Sequence, residues 1–400
     1  MVKLDRILLR ANLWLLSAVS LYAFALFLFA TPWVQRQALF SHAAKWPLWA
    51  NFSDPVRYGL APYKTYTFSL TTEDNHTLGA WHVLPDAYYH TYTPYPLLPR
   101  SPLPPSAQAD AFAQRPTVIY LHGNAASRAA RYRVSLYSAL STRLNVNVVT
   151  IDYRGFGENS GKPSQQGLTR DARAAWDWVT EEMGVDRNRV VLMGQSLGTG
   201  VVSQLAAELE IEGIRPRGIV LVAAFESLEE LLSTYTVFKF LPLIRPLRLF
   251  PGLEKWYLSH LIDRFDSHLA LRDVSCPILL MHAKDDGDIP YTHSVHLFDA
   301  LLDPLLPQRP FSTLEEETMS EGQKAEWERN DEERRGMRSS LVEEITVDGF
   351  ATIRSFDRPE GRGPVFFLNT LYGGHNLISS HEGAMDVMGR VMDLGIGESA

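Results

Sequence analysis

Five short apolar runs divide the middle of the chain: Thr117-Val118-Ile119-Tyr120-Leu121, Val146-Asn147-Val148-Val149-Thr150-Ile151, Val190-Val191-Leu192-Met193, Gly218-Ile219-Val220-Leu221-Val222 and Ile278-Leu279-Leu280-Met281. The first is rich in β-branched residues, and all are too short for helices and lack the apolar–polar alternation of a half-exposed strand. Such runs predict strands covered on both faces, as in a parallel sheet. Helical periodicity separates them, as in residues 168–183 and 200–210, and strand–helix repetition predicts an α/β fold. Upstream, Thr65-Tyr66-Thr67-Phe68-Ser69-Leu70 and residues 77–84 predict a strand pair joined by the polar turn Glu73-Asp74-Asn75. Val365-Phe366-Phe367-Leu368 is expected to be the last strand.

Other segments depart from this repeat. From Ala11 to Gln35 no charged residue occurs. Spanning a hydrocarbon core takes roughly 20 apolar residues, against about 7–15 for the core of a cleaved signal peptide. A retained membrane anchor over residues 1–35 is therefore expected. Lys3, Arg6 and Arg10 precede the run, which places the N-terminus in the cytosol by the positive-inside rule. Residues 36–62 read as a linker with short helices, and 63–400 as one catalytic domain. Residues 91–116, rich in Pro, Ser and Tyr, read as a surface loop. Residues 225–272 carry many large apolar side chains between two strands and read as a helical cap. Residues 303–345, with Glu315-Glu316-Glu317 and Asp331-Glu332-Glu333, read as a solvated, partly disordered insertion.

Composition narrows the function classes. A net charge of -8 argues against nucleic-acid binding, which needs a basic surface. Cys276 is the single cysteine, so neither an internal disulfide nor a cysteine-built zinc site can form, and core packing is its expected role. Two glycosylation sequons, Asn51-Phe52-Ser53 and Asn75-His76-Thr77, fit a lumenal or extracellular body.

The chemistry centres on Gly194-Gln195-Ser196-Leu197-Gly198. Alone, Gly-x-Ser-x-Gly is a weak signal. Here a strand precedes it and a helix follows it, the context of a nucleophile elbow, in which a sharp turn exposes the serine Oγ at the sheet edge. Serine needs a base and an orienting carboxylate. After the strand at 278–281 three acids compete: Asp285, Asp286 and Asp288. Asp286 is the expected acid, and the other two are expected to cap the loop or face solvent. After the last strand, Gly373-Gly374 introduces His375, the expected base. The rival His381 lies deeper, in a predicted final helix. His293 and His296 read as helix-surface residues. The oxyanion hole is expected from the backbone N–H of Leu197 and of Asn124, with Ala125 as alternative donor. His122 reads as a buried, loop-organising residue.

Four motifs, His122-Gly123-Asn124-Ala125, Asp152-Tyr153-Arg154-Gly155-Phe156-Gly157, the elbow through Gly200, and His282-Ala283-Lys284-Asp285-Asp286, resemble those of the α/β-hydrolase domain-containing protein 12 family. These are membrane-anchored monoacylglycerol and lysophosphatidylserine lipases. The similarity extends through Leu78-Gly79-Ala80-Trp81-His82 and Pro251-Gly252-Leu253, covering most of the chain. It implies an endoplasmic-reticulum protein with a lumenal site, Asp286 as acid and His375 as base. Two departures stand out: Gln195 occupies a position where histidine is common, and the charged insertion lengthens the gap between Asp286 and His375.

Together these features predict an α/β-hydrolase fold with a mostly parallel sheet, helices on both faces, a helical cap and one transmembrane helix ahead of it. The expected reaction is hydrolysis of a lipid ester by Ser196, His375 and Asp286, and that chemistry needs no metal or organic cofactor. The expected partners are a lipid ester substrate and the membrane, with no nucleic acid. A depalmitoylase, thioesterase or peptidase on the same fold is the nearest alternative, and a catalytically inactive scaffold the alternative of another class. Thr236–Phe250, with Lys239, Arg245 and Arg248 among apolar residues, is a candidate for dipping into the membrane interface or for packing as part of the cap alone.

Overall fold

The computed structural model describes every residue except 1, 93–97, 100, 105, 235, 238–240, 243, 312–318 and 396–400, and backbone only at 2–8, 236–237, 241–242, 245, 248 and 251. Lys239, the Arg245 and Arg248 side chains and Glu315-Glu316-Glu317 thus lie outside the described positions.

Two N-terminal helices, α1 (Val2–Phe29) and α2 (Pro32–Phe40), lead into the hairpin β1 (Thr65–Thr71) and β2 (Thr77–Val83). Helices α3 (Asp86–His90) and α4 (Ser106–Gln114) precede the repeat, which runs β3 (Thr117–Leu121), α5 (Arg131–Arg143), β4 (Asn147–Ile151), α6 (Gln165–Asp177), β5 (Val190–Gln195), α7 (Leu197–Ile211) and β6 (Gly218–Val222). The cap comprises α8 (Leu228–Thr234), the small ribbon β7 (Thr236–Val237) and β8 (Leu241–Pro242), α9 (Pro251–Leu258) and α10 (Ser267–Ala270). The chain returns through β9 (Ile278–Ala283), α11 (Thr292–Leu302), α12 (Glu321–Leu341), β10 (Glu343–Val347), β11 (Ala351–Phe356), β12 (Val365–Thr370), α13 (Gly374–Leu377) and α14 (Glu382–Val391).

Ten strands form one sheet in the order β1-β2-β4-β3-β5-β6-β9-β12-β11-β10. The stretch from β4 to β12 is parallel, and antiparallel pairs close both edges. Continuous apolar strands are explained by what they meet. In β5, Val190 and Leu192 enter one core cluster and Val191 and Met193 the other, on opposite sides of the sheet. Every residue of β3, β4, β5, β6 and β9 is buried, so water competes for neither face.

The structure differs from the sequence expectations in four segments. The supposed linker 36–62 is packed against the body: Phe40, Phe52 and Leu60 are buried, with Phe40 in one main core cluster and Phe52 and Leu60 in the other. The supposed surface loop 91–116 contains α4, whose Ala107, Ala111 and Phe112 point inward at helical spacing. The insertion 303–345, expected to be solvated and partly disordered, is largely exposed where described but holds α12, which opens with a capping box (Ser320 with Gln323) and is tied to α11 by Arg338 to Asp299 at 2.6 Å. It continues into β10, which pairs with β11 and extends the sheet. Finally, His293 on α11 is buried. Desolvation lowers its pKa to about 4, and its Nε2 lies 2.9 Å from Thr234 Oγ1 of α8. His296 is 61% exposed, as expected of a helix-surface residue. Cys276 is buried in the core.

Candidate active site

Ser196 stands between the end of β5 and the start of α7, at φ +53° and ψ −122°. A non-glycine residue rarely adopts that conformation, which costs on the order of 1–3 kcal/mol and is held only where the surroundings dictate it. They do so here. A Cβ on Gly194 would meet the Gly198 carbonyl oxygen at 2.3 Å, and one on Gly198 would meet the Leu121 carbonyl oxygen at 2.0 Å. Only glycines allow the turn to close against itself and against β3. Ser196 N–H donates to Val222 O at 2.9 Å, and Thr199 Oγ1 donates to Ser196 O at 2.6 Å, fixing both sides of the peptide.

The loop after β9 brings Asp286 beneath the site. Its Oδ1 accepts the N–H groups of Asp288 (2.8 Å) and Ile289 (3.0 Å); its Oδ2 faces His375 Nδ1 (2.8 Å) and His282 Nε2 (3.1 Å). Burial pushes the Asp286 carboxyl upward, but the hydrogen bonds from His282 and His375 and the charge of His375 outweigh it, holding the group well below the usual carboxylate range. A carboxylate acceptor fixes the His375 proton on Nδ1 and leaves Nε2 as the acceptor nitrogen. Asp285 and Asp288 are exposed, and Asp285 Oδ1 accepts Gly374 N–H at 2.8 Å, fastening the His375 turn to the acid loop. His381 is the cap residue ahead of α14 rather than a residue inside it, because the helix begins at Glu382. Asp286, Asp288 and His375 offer donor atoms within 4.8 Å of one another.

The loop after β3 supplies the other wall. His122 is fully buried, its Nδ1 lying 2.7 Å from Gly123 O, and burial lowers its pKa. Ala125 N–H donates to Phe40 O at 2.9 Å, so that amide is already occupied. Asn124 is thereby left as the better placed of the two expected donors. Arg133, also buried, donates through Nη2 to the carbonyls of Gly123, Asn124 and Ala125 and through Nη1 to Ser127 O. One side chain thus holds three successive carbonyls of the loop on the guanidinium side.

Ser196, Leu197, Asn124, Asp286 and His375 border one cavity of about 770 Å³, whose remaining wall is largely apolar: Phe29, Leu39, Phe225, Leu228, Ile244 and Tyr257 among others. Three features of the site escaped sequence reasoning. Gln195 accepts from Tyr120 OH (2.6 Å) and donates to His375 O (2.8 Å); His282 shares Asp286; Arg133 holds the loop. Each is an ordinary polar residue whose role appears only when distant strands meet. The local hint was that Gln195 and His282 belong to two of the quoted motifs.

A strained serine between strand and helix, with an aspartate and a histidine from the loops after two later strands of the parallel part of the sheet, β9 and β12, defines the α/β-hydrolase class. The comparisons agree: the α/β-hydrolase family profile matches residues 118–320, and the chain belongs to that family. It is 31% identical over 291 residues to the lysophosphatidylserine lipase ABHD12 of Rattus norvegicus, covering 70% of this chain and 66% of that one. It is 30% identical to the lysophosphatidylserine lipase ABHD12 of Danio rerio, covering 72% of each. The chain therefore spans slightly under two thirds of the length of the rat relative. An α/β hydrolase from Vibrio vulnificus shares the fold with a TM-score of 0.50 at 15% identity, covering 91% of this chain and 92% of that one.

Proposed function

We propose that the chain is a serine hydrolase that cleaves lipid esters, in particular monoacylglycerols or lysophospholipids such as lysophosphatidylserine. The observation that carries this reading is one cavity joining an elbow serine and a His375–Asp286 pair to a largely apolar wall. Ser196 gives its proton to His375 Nε2 as Oγ attacks the ester carbonyl, while Asp286 stabilises the imidazolium. The Leu197 and Asn124 N–H groups receive the oxyanion. The C–O bond of the headgroup alcohol breaks and takes the proton back from His375, leaving an acyl-enzyme. Water, deprotonated by the same histidine, then releases the fatty acid and restores Ser196. Burying an acyl chain contributes about 0.8 kcal/mol per methylene, which favours long chains in this apolar cavity. The relatives named as lysophosphatidylserine lipases support the substrate class.

A fluorophosphonate probe should label the purified protein, and Ser196→Ala should abolish both labelling and release of fatty acid from lysophosphatidylserine. A folded wild type that resists the probe would sink the enzyme reading. A preference for thioesters or peptides over lipid esters on a substrate panel would redirect it.

The chain is further proposed to be anchored by α1, with a cytosolic N-terminus and the hydrolase body in the lumen of the endoplasmic reticulum. Residues Leu9–Phe29 are long and apolar enough to cross a bilayer, and Asn51 and Asn75 of the two sequons are exposed. Endoglycosidase treatment should increase the mobility of the expressed chain, and Asn51→Gln with Asn75→Gln should remove that shift. A chain that carries no glycan at either site would contradict the lumenal placement.

A further inference from the structure

The apolar stretch of α1 is 21 residues long, Leu9–Phe29. At 1.5 Å per residue it measures about 31 Å, against about 30 Å for a hydrocarbon core, so the whole stretch is needed to span. Yet its last two turns are not surrounded only by lipid. Tyr22, Ala25, Leu26, Phe29 and Ala30, which share one helix face, are half-buried, whereas their neighbours Leu21, Phe24, Phe27 and Leu28 are exposed. Four of the half-buried residues, Tyr22, Leu26, Phe29 and Ala30, pack against the buried cap cluster Ile244, Leu247, Tyr257 and Leu258. Tyr22 lies seven residues before Phe29, which puts the contact roughly 10 Å inside the end of the span. If α1 crosses the membrane, the cap elements touching it there share its depth.

The outward side of the cap suits such a position. Leu249, Phe250, Leu253, Trp256 and Ile262 are between 45% and 79% exposed. They are interspersed in sequence with the buried cluster and with Glu254, Lys255 and His260, and so many large exposed apolar side chains in one segment on a water-facing surface are unusual. Beyond the span, Trp33 is 66% exposed, in the place where tryptophan settles at the membrane–water boundary. The cavity continues this arrangement inward. Phe29, Ile244 and Tyr257, which meet at the α1–cap seam, also line the cavity that holds Ser196.

We propose that the cap segment 244–262 is embedded in the bilayer leaflet at the C-terminal end of α1, and that lipid esters reach Ser196 sideways from that leaflet along the seam between α1 and α9. This rests on the reading of the chain as an anchored lipid hydrolase and adds where the substrate enters. The acyl chain of a lysophospholipid already lies parallel to α1 in a leaflet. Lateral entry keeps it in apolar surroundings from bilayer to cavity, whereas approach through water would first expose it.

Depth can be measured without turnover. The full-length protein is reconstituted in phosphatidylcholine vesicles with an environment-sensitive fluorophore at Phe250→Cys or Leu253→Cys, and at Ile211→Cys as control. Ile211 ends α7 and is 87% exposed, while the native Cys276 is buried and out of reach of the reagent. Lipids carrying a nitroxide on the acyl chain should quench the labels at 250 and 253 strongly and the label at 211 hardly at all. Equal quenching at the three sites overturns the proposal. In a second arm, Leu253→Asp with Trp256→Asp should slow hydrolysis of lysophospholipid in vesicles by at least about tenfold, since placing a carboxylate in hydrocarbon costs more than the ~1.4 kcal/mol that a factor of ten represents. Hydrolysis of a water-soluble short-chain ester should be unchanged; equal losses on both substrates overturn lateral entry. A wild type inactive on every ester would refute the hydrolase reading instead, and the quenching result would still decide the depth of the cap.

Discussion

At the scale of single residues, the candidate site depends on side chains that hold the expected catalytic groups in place. Gln195 is the clearest case. It is 3% exposed, and its amide spans from Tyr120 OH on β3 to the carbonyl of His375, thereby linking the elbow strand to the turn that carries the base. In the proposed mechanism an error of an ångström in the imidazole costs up to about 100-fold in rate. Gln195→Met, which keeps the volume and removes both hydrogen bonds, should lower kcat by roughly 10- to 100-fold with little change in KM. It should also destabilise the fold by about 1–3 kcal/mol, because the buried Tyr120 hydroxyl is left without its acceptor. Adding Tyr120→Phe should restore melting temperature but leave kcat low. If kcat recovered together with stability, Gln195 would be a packing residue and not a positioning one.

At the scale of elements, legibility followed how much of an element's environment is encoded locally. The strands β3, β4, β5, β6 and β9 were readable because burial on both faces demands uninterrupted apolar residues, and the elbow because its glycines answer to steric limits within five positions. Asp286 and His375 were singled out as the expected acid and base from their places after strands, and the structure brings His375 Nδ1 within 2.8 Å of Asp286 Oδ2. The misread elements take their stability from elsewhere. Helix α12 is strongly charged and has a single buried residue, Arg334, so it carries almost no apolar stripe. Its stabilising contacts include the capping box, the bridges from Arg338 to Asp299 and from Arg334 to Asp303, and i,i+4 pairing of Asp331 with Arg335, none of which gives a hydrophobic period. Strand β10 is exposed along its whole length and exists by pairing with β11. His293 was read as a surface residue because it sits on an amphipathic helix, but the cap segment α8 folds over it and seals it. The cap was legible as an apolar interruption, while its contact with α1 was not, since nothing in residues 225–272 indicates which distant helix they meet.

At the scale of the whole molecule, the segment after α1 joins the proposed anchor to the candidate site. Phe40 O accepts Ala125 N–H at 2.9 Å, Ala44 O accepts Ala126 N–H at 2.8 Å, and Trp46 O accepts Ser127 Oγ–H at 3.0 Å. These bonds engage the far end of the loop that presents Asn124, and Ala125 and Ala126 are both held at positive φ, a conformation that needs such support. Helix α2 is tied in turn to the cap, where Gln35 Nε2 donates to His260 O at 3.0 Å. The region 31–46 is thus part of the frame of the site, not a tether, and two truncations separate these roles. A chain beginning at Thr31 in detergent should keep its hydrolysis of a water-soluble ester within a few-fold of the full chain. A chain beginning at Pro47 loses the acceptors for the Asn124 loop, and its kcat should fall by about 100- to 1000-fold, the size of effect seen when an oxyanion donor is lost. It also loses the buried Phe40, a core deletion worth about 3–5 kcal/mol, so rates are to be compared per folded molecule, with the folded fraction taken from circular dichroism. Equal activity of the two truncations would mean that the loop holds itself and that α2 serves only as a spacer. Unequal activity would mean that the enzyme cannot be freed from the membrane-proximal segment without losing the geometry on which the proposed chemistry depends.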